Sequence, residues 1–417
     1  MDTQILDRPV PPDLLHGIGI RSVYHPLVDL GTGRTVAHEA LMRGPAGTPW
    51  ESPLTLLAAA RAAGTLTDLE QAAVSAALHG TGCGSPDVTG VLFVNLEPST
   101  LTRHPDLVVA ELDRRAGGLQ VVVEITERAL AADPAGVLAG AERLRAAGYA
   151  IALDDVGVER ESLAFIPVLQ PEVVKLDLSL LRSVDDPATI TVAHAVQAYA
   201  EACGAEVVAE GIETEADLVR ALVLGATLGQ GWHWGRPGPY PVPAPAGTPH
   251  RRFAPRTEAA AAPGSPFDLV AGSGRLRTAP KHLLLPVSRT LEVRAMQSSV
   301  PPMLLACFQD LSRLTPATVR RYARTAETLP FVGMLGTDLP AAPAGGARGV
   351  PLSPADPLAR EWTVLVLGAH EAVALIARDR DEPAARDADR LFDFVLTHDR
   401  AVVTAAAQTL VRRFPAS

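Results

Sequence analysis

Acidic side chains recur at the ends of short apolar runs in the first half of the sequence, as in TVAHE, VVVE, AIALDD and EVVAE. An amide ends VLFVN, and a lysine and an aspartate close VVKLD. The side chains at these positions, with one more acid just after the last run, are Glu39, Asn95, Glu124, Asp154, Asp155, Lys175, Asp177, Glu210 and Glu213. If the runs are parallel strands of a barrel, their carboxyl ends meet at one face and these groups surround one cleft.

Carboxylates crowded into one cleft repel one another, so several of them stay ionised only if cations lie between them. Carboxylate and amide ligands without histidine or cysteine favour Mg²⁺ or Mn²⁺ over zinc. Two such ions about 3.5–4 Å apart serve phosphodiester hydrolysis, because one activates water and both stabilise charge on the phosphoryl oxygens. A neighbouring lysine such as Lys175 can orient the nucleophile and stabilise developing negative charge.

Each of these residues also has a simpler interpretation. A single acid at a strand end is more often a loop cap or an ion-pair partner, and Asp154 with Asp155 could cap a following helix. His25 and His38 are interpreted as packed or hydrogen-bonded residues and not as metal ligands. The metal site is favoured by the recurrence of acids at successive strand ends, which helix capping does not explain.

Strand-like runs alternate with Ala/Leu-rich helical segments before the proline-rich region. The strand candidates are SVYHPLVDL, TVAHEAL, VLFVNL, VVVEIT, AIALDD, VVKLD, EVVAEG and a weaker one near ATLGQG. This alternation predicts an α/β fold with a mostly parallel (β/α)8 barrel of the TIM type. A doubly wound open sheet is the structural alternative, which the lack of a Gly-rich nucleotide loop or Walker loop after any strand disfavours.

Prolines are dense between Arg236 and Phe267, where the sequence reads RPGPYPVPAPAGTPHRRFAPRTEAAAAPGSPF. Proline at this density is incompatible with a helix interior or a central strand, so we interpret the segment as a semi-rigid linker. The predicted organisation is a barrel over residues 1–236, a Pro/Ala-rich linker over 237–265 and a smaller α/β domain over 266–417. In the last domain HLLLPVSRTLEV and EWTVLVLG are predicted as strands, and PATVRRYARTAETL and AVVTAAAQTLVRRF as helices.

Composition narrows the classes of function. Lys+Arg number 37 against 47 Asp+Glu, a formal net charge of -10, which argues against general nucleic-acid binding. Three widely separated cysteines predict neither a disulfide framework nor a zinc site, and they fit a reducing cytoplasm. Neither a secretory signal nor an apolar run of the ~18 residues that a membrane-spanning helix needs is visible. We therefore expect a cytoplasmic protein without a membrane span.

The motifs HEALMR, FVNLEP, VVEITE, LDD, VKLD, VAEGIET and GQGWHWGRP follow one another in this order. Through them the segment from Ser22 to Pro237 closely resembles the EAL domain family, named for the tripeptide Glu39-Ala40-Leu41. The tripeptide alone is a weak signal, but the motifs together are highly specific. The resemblance implies a modified (β/α)8 barrel that hydrolyses the bacterial second messenger cyclic-di-GMP to linear pGpG with two divalent cations, Mg²⁺ or Mn²⁺. It also implies a homodimer formed through the barrel.

The resemblance further implies a role for each matching residue. The implied metal ligands are Glu39, Asn95, Glu124, Asp154, Asp155 and Glu210. The implied catalytic residues are Lys175, Glu210 and Glu213, and the implied substrate-binding residues are Arg43, Asp177 and Gln230. In this scheme Asp154 bridges the two ions, Lys175 holds the attacking water, and Glu127 steadies the loop after Asp155.

The sequence departs from the family pattern in two regions. The family's Asp-Asp-Phe-Gly is followed by Thr-Gly-Tyr-Ser-Ser, whereas Val156 to Ser162 here read VGVERES. In the family this loop couples metal binding to the dimer interface, so the change bears on both activity and dimer coupling. His25 stands where the family commonly has glutamine, and Gly44 where it has an aromatic residue, so guanine binding is the property that these two changes affect.

The C-terminal region resembles the DICT sensory domain through LTPATVRRYA, EWTVLVLG, ALIARD and FDFVLTHD. A structural α/β appendage is the alternative there, and Trp362 is interpreted as a core residue. The retained acids favour a cyclic-di-GMP phosphodiesterase regulated by this C-terminal sensor. The altered loop favours the alternative of a catalytically weak or inactive cyclic-di-GMP receptor that signals to a partner. A scaffold that binds no nucleotide is the third interpretation.

Overall fold

A computed structural model describes residues 10–82, 89–127, 130, 133–157, 163–241, 253–256 and 264–415. Eight strands close into a barrel. They are β1 (Arg21–Asp29), β2 (Thr35–Arg43), β3 (Thr89–Asn95), β4 (Gly118–Thr126), β5 (Ala150–Val156), β6 (Val173–Leu176), β7 (Glu206–Ala209) and β8 (Leu228–Gln230). Strand β1 is antiparallel to both of its neighbours, β2 and β8, and the other pairs are parallel. The predicted α/β barrel is confirmed, with the inverted first strand as its modification.

Helices precede and connect the barrel strands. They are α1 (Pro12–Leu15), α2 (Pro53–Ala63), α3 (Leu66–His79), α4 (Pro98–Arg103), α5 (Pro105–Arg115), α6 (Pro134–Ala146), α7 (Ile166–Leu169), α8 (Leu178–Arg182), α9 (Pro187–Cys203) and α10 (Glu215–Val223). Many begin with proline, whose fixed φ and missing N–H suit the first helical position. Helix α10 begins instead with a capping box between Thr214 and Asp217.

The barrel interior is a layer of small and branched apolar side chains that includes Ala37, Val122, Ala152 and Val173. Phe253 belongs to the same cluster, with 1% of its surface exposed, and its ring lies 5.4 Å from that of Phe93 on β3. Part of the segment predicted as a linker therefore packs inside the barrel.

Arg256, in the same short segment, fixes it to the barrel. Its backbone N–H donates to Glu172 Oε1 at 2.8 Å, and its Nη1 donates to the carbonyl of Cys203 at 2.8 Å. Earlier in the predicted linker, Gly238 pairs with Tyr24 on β1. The described parts of this segment thus contact the barrel and do not only separate two domains.

A second, seven-stranded sheet follows, in the order β12-β11-β10-β13-β14-β15-β9. Its strands are β9 (Arg277–Pro280), β10 (Met303–Asp310), β11 (Val332–Thr337), β12 (Arg348–Leu352), β13 (Glu361–Leu367), β14 (Ala372–Asp379) and β15 (Leu391–Thr397). The accompanying helices are α11 (Pro266–Val270), α12 (Lys281–Gln297), α13 (Pro316–Ala326) and α14 (Arg400–Val411). Alternate residues of β10 and β13 belong to two separate apolar clusters, one with α12 and α13 and the other with α11 and α14.

One secondary-structure prediction is wrong: HLLLPVSRTLEV forms helix α12 and not a strand. The leucine run is compatible with a strand or a helix, and Pro286 disfavours a helix interior, but tertiary packing selects the helix, which contains Pro286. The buried residues Leu284, Ser288, Leu291 and Ala295 recur every three or four positions, which is the period of one helix face. The other predictions quoted for this domain are confirmed by β13, α13 and α14.

The barrel and the second domain share one continuous apolar cluster. Phe331, just before β11, lies between two rings, at 5.4 Å from Phe165 of the barrel and 5.3 Å from Phe414. The two halves of the chain are thus packed together through aromatic side chains. Among the residues described, no helix has the length and apolar character needed to cross a membrane.

Candidate active site

The strand period explains how the polar residues of the cleft come together. Side chains two positions apart on a strand point to the same side, so a residue that follows an interior apolar residue by two positions also points inward. The pairs are Ala37 and Glu39, Phe93 and Asn95, Val122 and Glu124, Ala152 and Asp154, Val173 and Lys175, Val208 and Glu210, and Leu228 and Gln230. A polar layer therefore lies directly above the apolar layer of the barrel.

Lys175 lies at the centre of this polar layer with 1% of its side chain exposed. Its Nζ is 2.9 Å from Glu124 Oε1, 3.0 Å from Asp154 Oδ1 and 2.7 Å from Glu210 Oε1. A fourth carboxylate oxygen, Glu39 Oε2, lies 3.5 Å away. One ammonium group balances one of four carboxylates, so the cleft keeps an excess of negative charge unless protons or cations bind.

Two amides orient the carboxylate of Glu39. Asn95 Nδ2 donates to Glu39 Oε1 at 2.8 Å, and Gln230 Nε2 donates to Glu39 Oε2 at 2.9 Å. The two donors come from β3 and β8, so the carboxylate is held from two sides of the barrel. Hydrogen bonds to the charged form favour ionisation.

The pKa values of the cleft residues reflect this crowding. Burial, and then the charge of Glu39, raise the pKa of Glu124 well above its usual value, and burial raises the pKa of Glu210 to about 8. Burial alone would lower the pKa of Lys175, but the surrounding carboxylates, Asp154 foremost, raise it well above its usual value. Burial would raise the pKa of Glu39, but Lys175 and the two amide donors lower it. In the absence of metal, Glu124 and Glu210 would therefore hold protons more readily than ordinary carboxylates do.

The donor set fits hard divalent cations. Asp154, Asp155 and Glu210 each offer an oxygen, and these three oxygens lie within 4.8 Å of one another. Glu124 Oε2 is buried and accepts no hydrogen bond from the residues that the structure describes. Oxygen ligands in such a cluster suit Mg²⁺ or Mn²⁺, and a buried carboxylate oxygen without a donor is the group that a cation would satisfy.

A break in strand β5 allows two successive acids to serve one site. Neighbouring side chains on a regular strand point to opposite sides, so Asp154 and Asp155 could not both face the cleft. Asp155 has a φ of 59°, in the left-handed region, and the pairing of β5 with β6 shifts between Leu153 and Val156. This local conformation brings both carboxylates to the cleft, and such unusual backbone is often found at functional sites.

Glu127 contacts this break. Its backbone N–H donates to the carbonyl of Asp154 at 3.2 Å, and its Oε2 accepts from the N–H of Gly157 at 3.3 Å. Glu127 is predicted to steady the loop after Asp155, and its hydrogen bond to Gly157 lies at the start of that loop. Residues 158–162 of the altered loop lie outside the described part of the chain.

Glu39 and Glu124 of the cleft line a cavity of about 240 Å³, which Arg43 also lines from the end of β2. Glu70 of α3 lines it too, with 5% of its surface exposed, and its carboxylate accepts from the backbone N–H of Glu97. Sequence reasoning missed Glu70. The available signal was an acid seven positions before the buried Ala77, on the apolar face of its helix.

Two predicted residues are not joined to the acidic cleft by the contacts described. Asp177 Oδ1 accepts from the N–H of Ser179 at 2.7 Å, so it caps α8. Glu213 is exposed, and its backbone N–H donates to Asp217 Oδ2 at 3.3 Å. Within the described ranges, no hydrogen bond or ion pair joins the Glu213 side chain to the cleft. The substrate-binding role of Asp177 and the catalytic role of Glu213 stay predictions.

The structure gives a local reason for Gly44. A Cβ atom at this position would lie 2.1 Å from the carbonyl oxygen of Trp50, so no larger residue fits without moving that segment. His25 lies opposite Glu39 in the β1–β2 register, and burial lowers its pKa. The effect of both residues on guanine binding stays a prediction.

Known proteins resemble parts of this chain. The cyclic di-GMP phosphodiesterase RocR of Pseudomonas aeruginosa is 35% identical over 120 residues, covering 28% of this chain and 31% of RocR. The probable cyclic di-GMP phosphodiesterase PdeB of Escherichia coli (strain K12) is 29% identical over 214 residues, covering 50% of this chain and 41% of PdeB. The chain thus spans less than half the length of both relatives.

Solved structures also match the chain. The PaMucR phosphodiesterase in complex with c-di-GMP is 26% identical, with a TM-score of 0.48, over 55% of this chain and 95% of that one. A manganese/cy-diGMP complex of Klebsiella pneumoniae BlrP1 at pH 9.0 is 27% identical, with a TM-score of 0.46, over 53% of this chain and 56% of that one.

Two family models match the chain, one in each half. The model of the EAL domain matches residues 12–237, and that of the sensory domain in diguanylate cyclases and two-component systems (DICT) matches residues 270–380. The first match covers more than half of the 417 residues. The chain therefore belongs to the EAL domain family and carries a DICT sensory domain C-terminal to its EAL domain.

Proposed function

We propose that this chain is a metal-dependent phosphodiesterase that hydrolyses cyclic-di-GMP to linear pGpG and is regulated by its DICT domain. The observation that carries the proposal is the convergence of four carboxylates within 3.5 Å of Lys175 in the mouth of a barrel. Membership of the EAL family and the names of the two curated relatives support the choice of cyclic-di-GMP as substrate.

The proposed metal ligands are Glu39, Asn95, Glu124, Asp154, Asp155 and Glu210. Two divalent cations bound by them would supply water activation and stabilise charge on the phosphoryl oxygens. Lys175 would orient the attacking water by donating a hydrogen bond to it. The surrounding carboxylates keep its ammonium group charged and therefore able to donate. Arg43 lines the adjoining cavity, from where its guanidinium can bind a phosphate.

The test is hydrolysis of cyclic-di-GMP by the purified chain with Mn²⁺, followed by separation of the products. We expect pGpG to accumulate, and Asp154→Asn to reduce the rate on the order of 10³-fold or more, because a shared metal ligand is lost. Asp185→Asn is the matched control, since Asp185 is exposed and distant in sequence from the metal ligands. Absence of pGpG under Mn²⁺ and Mg²⁺ alike would contradict the proposal.

A receptor without turnover is the second candidate, and the altered sequence from Val156 to Ser162 is the observation in its favour. Calorimetry separates the two functions when it is run on the same samples as the hydrolysis assay. Tight binding of cyclic-di-GMP without turnover under either metal would support the receptor. Turnover that is lost in Asp154→Asn would support the enzyme.

Contacts between the two domains support regulation by the DICT domain. In α14, Gln408 Nε2 donates to the carbonyl of Val168 in α7 at 2.9 Å, and Arg412 after its end pairs with Glu142 in α6. Phe331 packs on Phe165, which precedes α7. Helix α7 follows strand β5 along the chain, and β5 carries the two successive acids. A change in the sheet domain can therefore reach the element that follows the proposed metal ligands.

A homodimer through the barrel remains part of the proposal, as the family resemblance implies. Light scattering of the purified chain at several concentrations tests it directly. A dimer mass that persists on dilution would support this part of the proposal. A monomer mass at every concentration, in a sample that hydrolyses cyclic-di-GMP, would contradict the dimer without affecting the proposed chemistry.

A further inference from the structure

A second cavity, of about 230 Å³, lies in the DICT domain and shares no lining residue with the acidic cleft. The aromatic residues that line it are Phe308 on β10, Trp362 on β13 and Phe392 on β15. Phe308 and Trp362 are directly opposite in the β10–β13 register, and the rings of Trp362 and Phe392 are 5.6 Å apart at an interplanar angle of 74°. Phe308 and Trp362 thus offer an aromatic surface on which a flat ring can pack, and the fully buried Phe392 supports Trp362 through the contact of their rings.

Positive charge exceeds negative charge around this cavity. The charged side chains that line it are Lys281, Arg289, Arg313, Arg321, Glu292 and Asp387. Both acids already have basic partners: Glu292 pairs with Arg321, and Asp387 pairs with Lys281 and Arg313. Arg289 is exposed and makes no hydrogen bond or ion pair with the part of the chain that the structure describes. A cation is therefore left at the edge of an aromatic wall.

The backbone at the cavity wall has an unusual conformation. Gln309 has a φ of 65°, and the pairing of β10 with β11 shifts between Cys307 and Asp310. Gln309 Nε2 donates to the carbonyl of Arg360 at 3.3 Å, which holds the side chain in place. A bulge of this kind redirects side chains at a strand end, and residues with positive φ other than glycine are often found at binding sites.

We propose that this cavity binds a small organic anion that carries a single aromatic ring. The ring would pack on Trp362 and Phe308. The acidic group would lie toward Arg289, because Arg313 is already paired with Asp310 and Asp387. The volume of the cavity, about 230 Å³, is below the ~300–1,000 Å³ of pockets that enclose drug-sized ligands. The ligand is therefore limited to about one ring and its substituents. Binding is independent of the proposed hydrolysis, whereas any effect of the ligand on hydrolysis rests on the proposed function.

Ligand-detected NMR on the full chain tests the proposal with three probes: benzoate, phenyl phosphate and the uncharged benzamide. At least one of the two anions is expected to bind saturably and at least tenfold more tightly than benzamide, because charge-assisted hydrogen bonds are stronger than neutral ones. Two results would overturn the proposal. One is the absence of saturable binding by both anions, and the other is that neither anion binds at least tenfold more tightly than benzamide.

Two substitutions locate the binding. Arg289→Ala, at an exposed residue, is expected to weaken binding of the anion about tenfold while benzamide binding changes little. Thr318→Trp fills the cavity from α13 and is expected to abolish binding of both types of probe, with thermal unfolding as the check that the variant is folded. Arg320→Ala is the control for Arg289→Ala. Arg320 is also an exposed arginine, on α13, and it does not line the cavity. Unchanged anion binding in Arg289→Ala, or an equal loss in Arg320→Ala, would contradict the assignment.

Discussion

At the scale of single residues, the charge balance around Lys175 decides how the cleft behaves. Four carboxylates lie near one buried ammonium group, and two of them, Glu124 and Glu210, have raised pKa values. Removing charges from water is costly unless opposite charges lie close by. Lys175 therefore contributes to the stability of the metal-free barrel as well as to the proposed chemistry.

Lys175→Met should destabilise the metal-free chain, because the carboxylates lose the only cation among the contacts described for them. The expected loss is about 3–5 kcal/mol in the free energy of unfolding, measured by urea denaturation at pH 8. Added Mn²⁺ should stabilise this variant more than the natural chain, since the cation replaces the missing charge.

Lys281→Met is the control for this prediction, because Lys281 is the other lysine of the sequence and forms a surface ion pair with Asp387. Surface ion pairs contribute at most about 1 kcal/mol. Equal stability of Lys175→Met and the natural chain without metal would contradict the assigned charge balance.

At the scale of elements, helix α3 carries a buried acid whose ionisation affects stability. Burial raises the pKa of Glu70 to about 7, from 4.5 in a model peptide. The folded state thus holds its proton to higher pH than the unfolded state does. The contribution of the neutral carboxyl to stability is complete below pH ~4.5 and is lost as the pH rises through ~7.

Glu70→Gln removes this titration and keeps an oxygen that can accept from the backbone N–H of Glu97. At pH 8 we expect the variant to be more stable than the natural chain by about 1–3 kcal/mol, since one pKa unit corresponds to ~1.4 kcal/mol. At pH 5 the two proteins should differ much less. Urea denaturation at both values checks this, and a pH-independent difference would be the contrary result.

Most of the barrel and the polar layer could be predicted from the sequence, because both depend on local patterns. Apolar runs with an acid at the end specify a strand and the side to which its acid points. The contact of Phe253 with Phe93 could not be predicted, since the two residues are distant in sequence and the segment around Phe253 is rich in proline. The prediction of a strand at α12 is wrong because its leucine run is compatible with the periods of both a strand and a helix.

The environment of individual site residues was harder to predict. Nothing local in the sequence indicates that Asp155 adopts a positive φ or that Glu213 is exposed, whereas Asp177 before α8 is a local N-cap signal that the motif outweighs. The cavity of the DICT domain likewise depends on the pairing of strands that are far apart in the sequence. Long-range register, and not propensity, decides these features.

At the scale of the whole molecule, Phe331 connects the two domains by packing between Phe165 and Phe414. Phe331→Ala should cost about 3–5 kcal/mol, as expected for a buried phenylalanine, and should separate one calorimetric unfolding transition into two. If the interface also carries regulation, the rate of cyclic-di-GMP hydrolysis should change in this variant.

Phe392→Ala is the control at this scale, because Phe392 is fully buried and belongs to the apolar cluster of the other sheet face. It should lower the transition temperature without separating the domains. Two transitions already present in the natural chain, or an equal separation in Phe392→Ala, would show that Phe331 does not couple the domains.

The most direct test of the central claim is the anomalous scattering of crystals of the chain grown with Mn²⁺. We expect two peaks about 3.5–4 Å apart in the cleft, both within ligand distance of Asp154, one near Glu39 and one near Asp155. Crystals of Asp154→Asn should lose at least one of them. Absence of any peak in the cleft, or Mn²⁺ bound only elsewhere on the chain, would contradict the two-metal site from which the proposed function is argued.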